Sequence, residues 1–187
     1  MRGRGLALPF IDGHQCSNDR CILCCEFGWD YAAVGFESMT VMAVTKFERF
    51  FRVVAGLDVD KQDLRRYSDF VNQKIYHLLL RGQATAKANG RDVIEPHDLP
   101  ITKGLQESIQ AFGALDEDIE LKAILDHITA RPPLHLAIGA ETESKLADIA
   151  GGLSVALAHT FKLIDPTVKN PATEDWERAF KIFNLLL

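Results

Sequence analysis

After Cys25 the chain of 187 residues contains no cysteine, and its four thiols, Cys16, Cys21, Cys24 and Cys25, fall within ten residues of one another. A disulfide-stapled secreted domain spreads its cysteines, so this clustering points to a reducing compartment. No apolar stretch approaches the roughly 18 uninterrupted residues of a membrane-spanning helix, and no membrane partner is expected. The start, Met1 to Arg4 followed by the run Leu6 to Phe10 with Pro9 inside it, makes a poor signal peptide. A cytoplasmic location follows as the expectation. The sequence also lacks Gly-x-Gly-x-x-Gly, a P-loop and His-Glu-x-x-His. His77, His97, His127, His135 and His159 are scattered, with no serine or cysteine at a catalytic spacing. The chain therefore reads as a non-enzyme without a cofactor. Excess positive charge is missing too: 21 Lys and Arg face 26 Asp and Glu, a net charge of −5. Nucleic-acid binding through bulk charge is disfavoured by that balance.

What is present is helical periodicity. Residues 1–42 are rich in Gly, Cys and aromatics and show no sustained period. From Val44 onward apolar residues recur every three or four positions. Phe47, Phe50, Phe51 and Val54 predict a helix that stops at Ala55-Gly56. Asp63 is a plausible N-cap for a long second helix reaching Asn89-Gly90. Its inner stripe is Leu64, Tyr67, Val71, Ile75, Leu78 and Gly82, widened by Phe70, Leu79 and Ala86. Val93-Ile94 reads as a short extended piece. Asp98 then caps a third helix with Pro100 in its first turn and Leu105, Ile109 and Phe112 on its inner face. The acidic stretch Gly113 to Asp118 reads as a link to a second block of the same plan. There, a short helix Ile119 to Thr129 presents Leu121, Ile124, Leu125 and Ile128, and Arg131-Pro132-Pro133 ends it. A long helix from about Thr142 to Ile164 turns Leu146, Ile149, Leu153, Leu157, Phe161 and Ile164 inward. A last helix starts at Thr173 or Asp175 and buries Trp176, Phe180 and Phe183. The expected organisation is a poorly structured leader over 1–42 and two three-helix units, 43–115 and 116–187, packed as one body.

Several stretches resemble the histone fold, whose long central helix is flanked by two short ones. Arg49-Phe50-Phe51-Arg52-Val53-Val54-Ala55-Gly56 resembles the first histone helix, with two basic residues three apart and an Ala-Gly end, one residue longer here. Lys87-Ala88-Asn89-Gly90-Arg91-Asp92-Val93-Ile94-Glu95-Pro96-His97-Asp98-Leu99 resembles the end of the central helix and the start of the third in archaeal histones. Val168 to Trp176 resembles the matching stretch more weakly. The likeness covers residues 43–187 and is to bacterial proteins that carry two such folds in tandem. It implies an all-α pair of histone folds closed on each other within one chain, because a single fold leaves a long apolar face uncovered. Gly151-Gly152 then reads as the place where the two long helices cross closely.

The same resemblance implies that loop cations meet DNA. Residues 43–112 carry +2 and residues 113–187 carry −5. The candidate contacts are Arg49, Arg52, Lys61, Arg65, Arg66, Lys87 and Arg91, with helix N-termini offering further donors to phosphate. In the family an arginine at the place of Arg91 clamps the loop to the cap at Asp98. Glu141 and Glu143 occupy the phosphate-facing position in the second half. Weak, salt-sensitive binding of double-stranded DNA (placing the protein at the nucleoid) is one expectation. A scaffold that binds other proteins, or itself, is the other. His14, Cys16, Cys21, Cys24 and Cys25 supply enough soft ligands for zinc, although adjacent cysteines rarely reach one metal. The plainer reading is that no metal is bound and that the natural start lies at Met39 or Met42.

Overall fold

Helix α1 (Val41–Ala55) ends because Gly56 takes the left-handed region, φ +59°. The computed structural model describes residues 41–129 and 134–186, all within one unit, Val34–Leu187. The leader and the His14, Cys16, Cys21, Cys24 and Cys25 set lie outside the described residues. Helix α2 (Lys61–Ala88) is capped by Asp60 rather than Asp63. The Asp60 carboxylate accepts from the N–H groups of Gln62 and Asp63 at 2.7 and 2.9 Å, and Asp63 returns the bond to the N–H of Asp60 at 3.2 Å. Two aspartates three apart form a capping box, so the cap is the first of them. The whole predicted stripe of α2, Leu64 to Ala86, is buried.

Strand β1 (Val93–Ile94) and a 3₁₀ turn (Pro96–Asp98) follow. Asp98 is the last residue of this turn and does not cap the next helix; its carboxylate accepts from the N–H of Glu95, the N-cap of the turn, at 2.9 Å. Helix α3 (Lys103–Ile119) starts at a Thr102 cap, leaving Pro100 outside it, and it runs straight through the acidic stretch expected to be a link. Nothing there breaks a helix. It stops where Glu120 adopts φ 54° and Asp116 turns its carboxylate onto the N–H groups of Leu121 and Lys122. Helix α4 (Lys122–Ile128), strand β2 (Ala137–Ile138), helix α5 (Ala140–Ile164) and helix α6 (Thr173–Leu186) complete the chain. The described residues are predominantly helical, with one short parallel pair in which Val93 faces Ala137 and Ile94 faces Ile138.

That pair is one of two junctions between the loops flanking α2 and those flanking α5. At the first, the Ile94 carbonyl also accepts from the N–H of Gly139 at 3.0 Å and the Thr142 hydroxyl at 2.8 Å. The buried Gln83 amide oxygen accepts from the N–H groups of His135 and Leu136 at 2.8 and 3.3 Å. At the second, the N–H of Asp58 donates to the Lys169 carbonyl at 2.7 Å, and Arg66 donates to the Thr173 hydroxyl at 3.0 Å. Between the junctions the long helices share a buried hydroxyl pair, Tyr67 and Ser154, 2.6 Å apart. Helix α5 is long and apolar enough in composition to cross a membrane, yet most of its face is buried in this core.

The expected role of Gly151-Gly152 needs correction. They admit α3, not the other long helix: a Cβ at Gly151 would overlap the Phe112 ring, and one at Gly152 would lie 2.5 Å from the Ile109 side chain. On α2 a lysine occupies the interface with α6. Lys74 is buried, 6.0 Å from the Phe70 ring centre, and its ammonium donates to the Asn184 amide oxygen at 2.8 Å. Burial lowers its pKa from 10.5, so the folded state holds this proton less firmly than the unfolded chain. Folding is therefore opposed by Lys74 at neutral pH and relieved as pH rises toward 10.5. Lys74→Met is expected to raise stability by up to about 2 kcal/mol at about pH 7, with the gain shrinking at alkaline pH. Thermal melts at neutral and alkaline pH check this; a variant that melts below wild type at neutral pH contradicts it.

Candidate nucleic-acid interface

The two loop junctions sit at opposite ends of α2. Lys61 and Lys87 are 26 residues apart on that helix, about 39 Å at 1.5 Å per residue. The seven candidate cations therefore do not form one patch. Lys61, Arg65 and Arg66 lie near the Asp58–Lys169 junction, with Arg49 and Arg52 on the adjoining α1. Lys87 and Arg91 lie near the β1–β2 junction.

Their engagement differs. Arg91 holds the buried Asp98 carboxylate with two guanidinium bonds, one at 2.6 Å. The arginine hydrogen bonds, aided by the Glu95 N–H, keep Asp98 below the ordinary carboxylate value. Arg91 is thus a clamp, and its guanidinium is committed. Arg66 bonds Asp63 at 3.4 Å as well as Thr173, so it is a positioning group at the other junction. Burial raises the pKa of Asp63 despite the Asp60 N–H and Arg66. Arg52 pairs with exposed Asp58 at 3.0 Å. Arg65 is exposed and lies near Asp69, one turn along α2, whose carboxyl it partly offsets against burial. Arg49, Lys61 and Lys87 are exposed and form no ion pair among the described residues.

The expected backbone donors to phosphate are taken at α2, because Asp60 and Asp63 already occupy that N-terminus. At α5 the first turn carries Glu141 and Glu143, and Glu141 pairs with Lys145 at 2.6 Å. The Lys145 ammonium is the main cause holding the Glu141 carboxyl below its ordinary value. At these two helix starts an anion contact must therefore come from side-chain cations. One of them escaped the sequence reading: Lys169, exposed and without an ion pair among the described residues, which the Asp58 bond brings beside α2 from 111 positions away. No group of three or more metal-ligating side chains occurs among the described residues.

Comparison with known proteins agrees on the extent of this body. A crystal structure of a protein from Thermus thermophilus matches with a TM-score of 0.69 and 52% identity, covering 77% of this chain and 97% of that one. A crystal structure of a protein from Aquifex aeolicus matches with a TM-score of 0.70 and 26% identity, covering 80% of this chain and all of the other. An uncharacterised protein of Aquifex aeolicus strain VF5 is 29% identical over 117 residues, 63% of this chain and 68% of its own length. Residues 47–184 match the family described as a domain of unknown function, DUF1931, and the chain belongs to that family.

Proposed function

We propose that this protein is a pair of histone folds in one polypeptide, and that it binds duplex DNA through cations of its first half. The observation that carries the reading is the crossed loop pairing: the loop before each long helix is bonded to the loop after the other one, at Asp58 with Lys169 and at Val93-Ile94 with Ala137-Ile138. Two short–long–short units joined in this manner set exposed loop cations at both ends of a rigid body. The Arg91 clamp on Asp98, which the family resemblance anticipates, supports the same reading. Fold alone does not make a DNA-binding protein; the cations that make no ion pair are what point to phosphate.

The test is titration of the full chain against duplex DNA at about 50 mM salt, where phosphate contacts weigh most. Arg66 is left intact, because its loss would break its bonds to Asp63 and Thr173 beside the Asp58–Lys169 junction. Lys61→Glu/Arg65→Glu changes exposed groups only and is expected to weaken binding by a factor of about 100 while leaving the melting temperature near wild type. Unaltered affinity in that variant would contradict the assignment of the surface. A second reading, a protein-binding scaffold, is favoured by Leu163 and Leu185, exposed at 85% and 86%. It predicts no DNA affinity at any salt concentration.

A further inference from the structure

We infer that the duplex contact is confined to one end of the molecule and is composite, with Lys169 of the second half completing the set that Lys61 and Arg65 begin. The inference rests on the DNA reading above and adds to it a residue and a polarity.

At the Asp58–Lys169 junction most of the acids are engaged by neighbours within the fold, although Asp58 and Asp60 are exposed. Asp60 caps α2 and Asp63 is buried against the N–H of Asp60 and Arg66. Asp165 accepts from the N–H and hydroxyl of Thr167 at 2.8 and 2.7 Å. Asp175 accepts from the N–H of Ala172 at 3.0 Å, and Asp58 is held by Arg52. Glu174 remains exposed, as does Asp69 beside Arg65. Lys61, Arg65 and Lys169 remain outward, drawn from both halves and brought together by a main-chain bond.

The β1–β2 junction shows the opposite arrangement. Its strongest cation, Arg91, is spent on Asp98, and Lys145 is spent on Glu141. Exposed Asp92 and partly exposed Glu95 flank the loop, and Lys87, with Arg81 further back on α2, is exposed and makes no ion pair among the described residues. A duplex lying along the body would meet this end after about 39 Å, close to one helical turn of roughly 34–36 Å. Its phosphates would then face Asp92 and Glu95. Repulsion at that distance favours a duplex that touches one end and leaves the surface before reaching the other.

The test is anisotropy of a labelled duplex of about 20 bp with the full chain at about 50 mM salt, comparing Lys169→Glu with Lys87→Glu. Lys169→Glu is expected to weaken binding about tenfold, and Lys87→Glu by less than about twofold. Hydrogen exchange with and without DNA should show protection around residues 57–66 and 167–173 but not around 87–98. Equal losses in the two variants, or protection at both ends, would overturn the one-ended contact while leaving the DNA reading in place. A wild-type chain that does not bind would overturn both.

Discussion

Gly152→Leu is expected to abolish cooperative folding. A Cβ at this position would lie 2.5 Å from the Ile109 side chain, and 3.0 and 3.1 Å from the Ile109 backbone nitrogen and Cα. A side chain can change rotamer, but the backbone of α3 can retreat only by moving the whole helix. Phe112 follows it, because its ring fills the space over Gly151. Overpacking typically costs about 1–3 kcal/mol when side chains absorb it. Displacing α3 also uncovers Leu105 and Phe112, which takes the cost toward the entire stability of about 5–15 kcal/mol. Gly104→Ala is the control: Gly104 is exposed in the first turn of α3, and a Cβ there meets nothing within 4 Å. It should melt at or above the wild-type temperature. A Gly152→Leu variant that melts like wild type by circular dichroism would contradict the placement of α3 on α5.

Arg91→Ala is expected to give the largest loss of melting temperature among removals of a single charge. The Asp98 side chain is fully enclosed, and Arg91 is the first cause of its depressed pKa. Without the guanidinium, the carboxylate keeps one main-chain donor, the N–H of Glu95, with His97 3.9 Å away and exposed. Removing one partner of an enclosed pair is costly because it strands the other. Lys103→Ala, which breaks an exposed pair with Glu107, should cost little by comparison. The pH dependence follows from the direction of the shift. A carboxyl whose folded pKa lies below its ordinary 3.8 stabilises the fold above that value. The contribution disappears as pH falls through the folded pKa. Wild type should therefore lose stability on acidification below about pH 4, and Arg91→Ala should show a flatter acid limb. Equal melting losses in Arg91→Ala and Lys103→Ala would refute the clamp.

The periodic elements were readable because burial on one helix face leaves a direct trace in sequence. Leu64, Tyr67, Val71, Ile75 and Leu78 on α2, and Leu146, Ile149, Leu153, Leu157 and Phe161 on α5, are all buried as expected. Boundaries were less legible. Asp60 and Asp63 are chemically equivalent caps, and only the loop geometry selects the first. The stretch after Gly113 is polar but contains no breaker, so α3 continues to Glu120, a non-glycine residue that closes it in the left-handed region.

Long-range partners were the least legible part of the site. The glycine pair announces a close approach without saying which helix approaches, and that helix is α3. In sequence Lys74 is like any helix lysine; α6 is what covers it. Lys169 lies in the more acidic half and joins the other cations only through its carbonyl's bond to the Asp58 N–H. Conversely, Arg66 and Arg91 fit phosphate contacts by type and position, and both are engaged within the fold. Charge in a sequence does not reveal whether a cation is committed; only its neighbours do.

The salt dependence of DNA binding by the full chain tests the central claim most directly. About three phosphate contacts, from Lys61, Arg65 and Lys169, predict a logarithmic slope near about −2.7, so affinity should fall about 40-fold between roughly 50 and 200 mM salt. Absence of binding at the lower concentration, or affinity that does not change with salt, would contradict the phosphate-contacting surface.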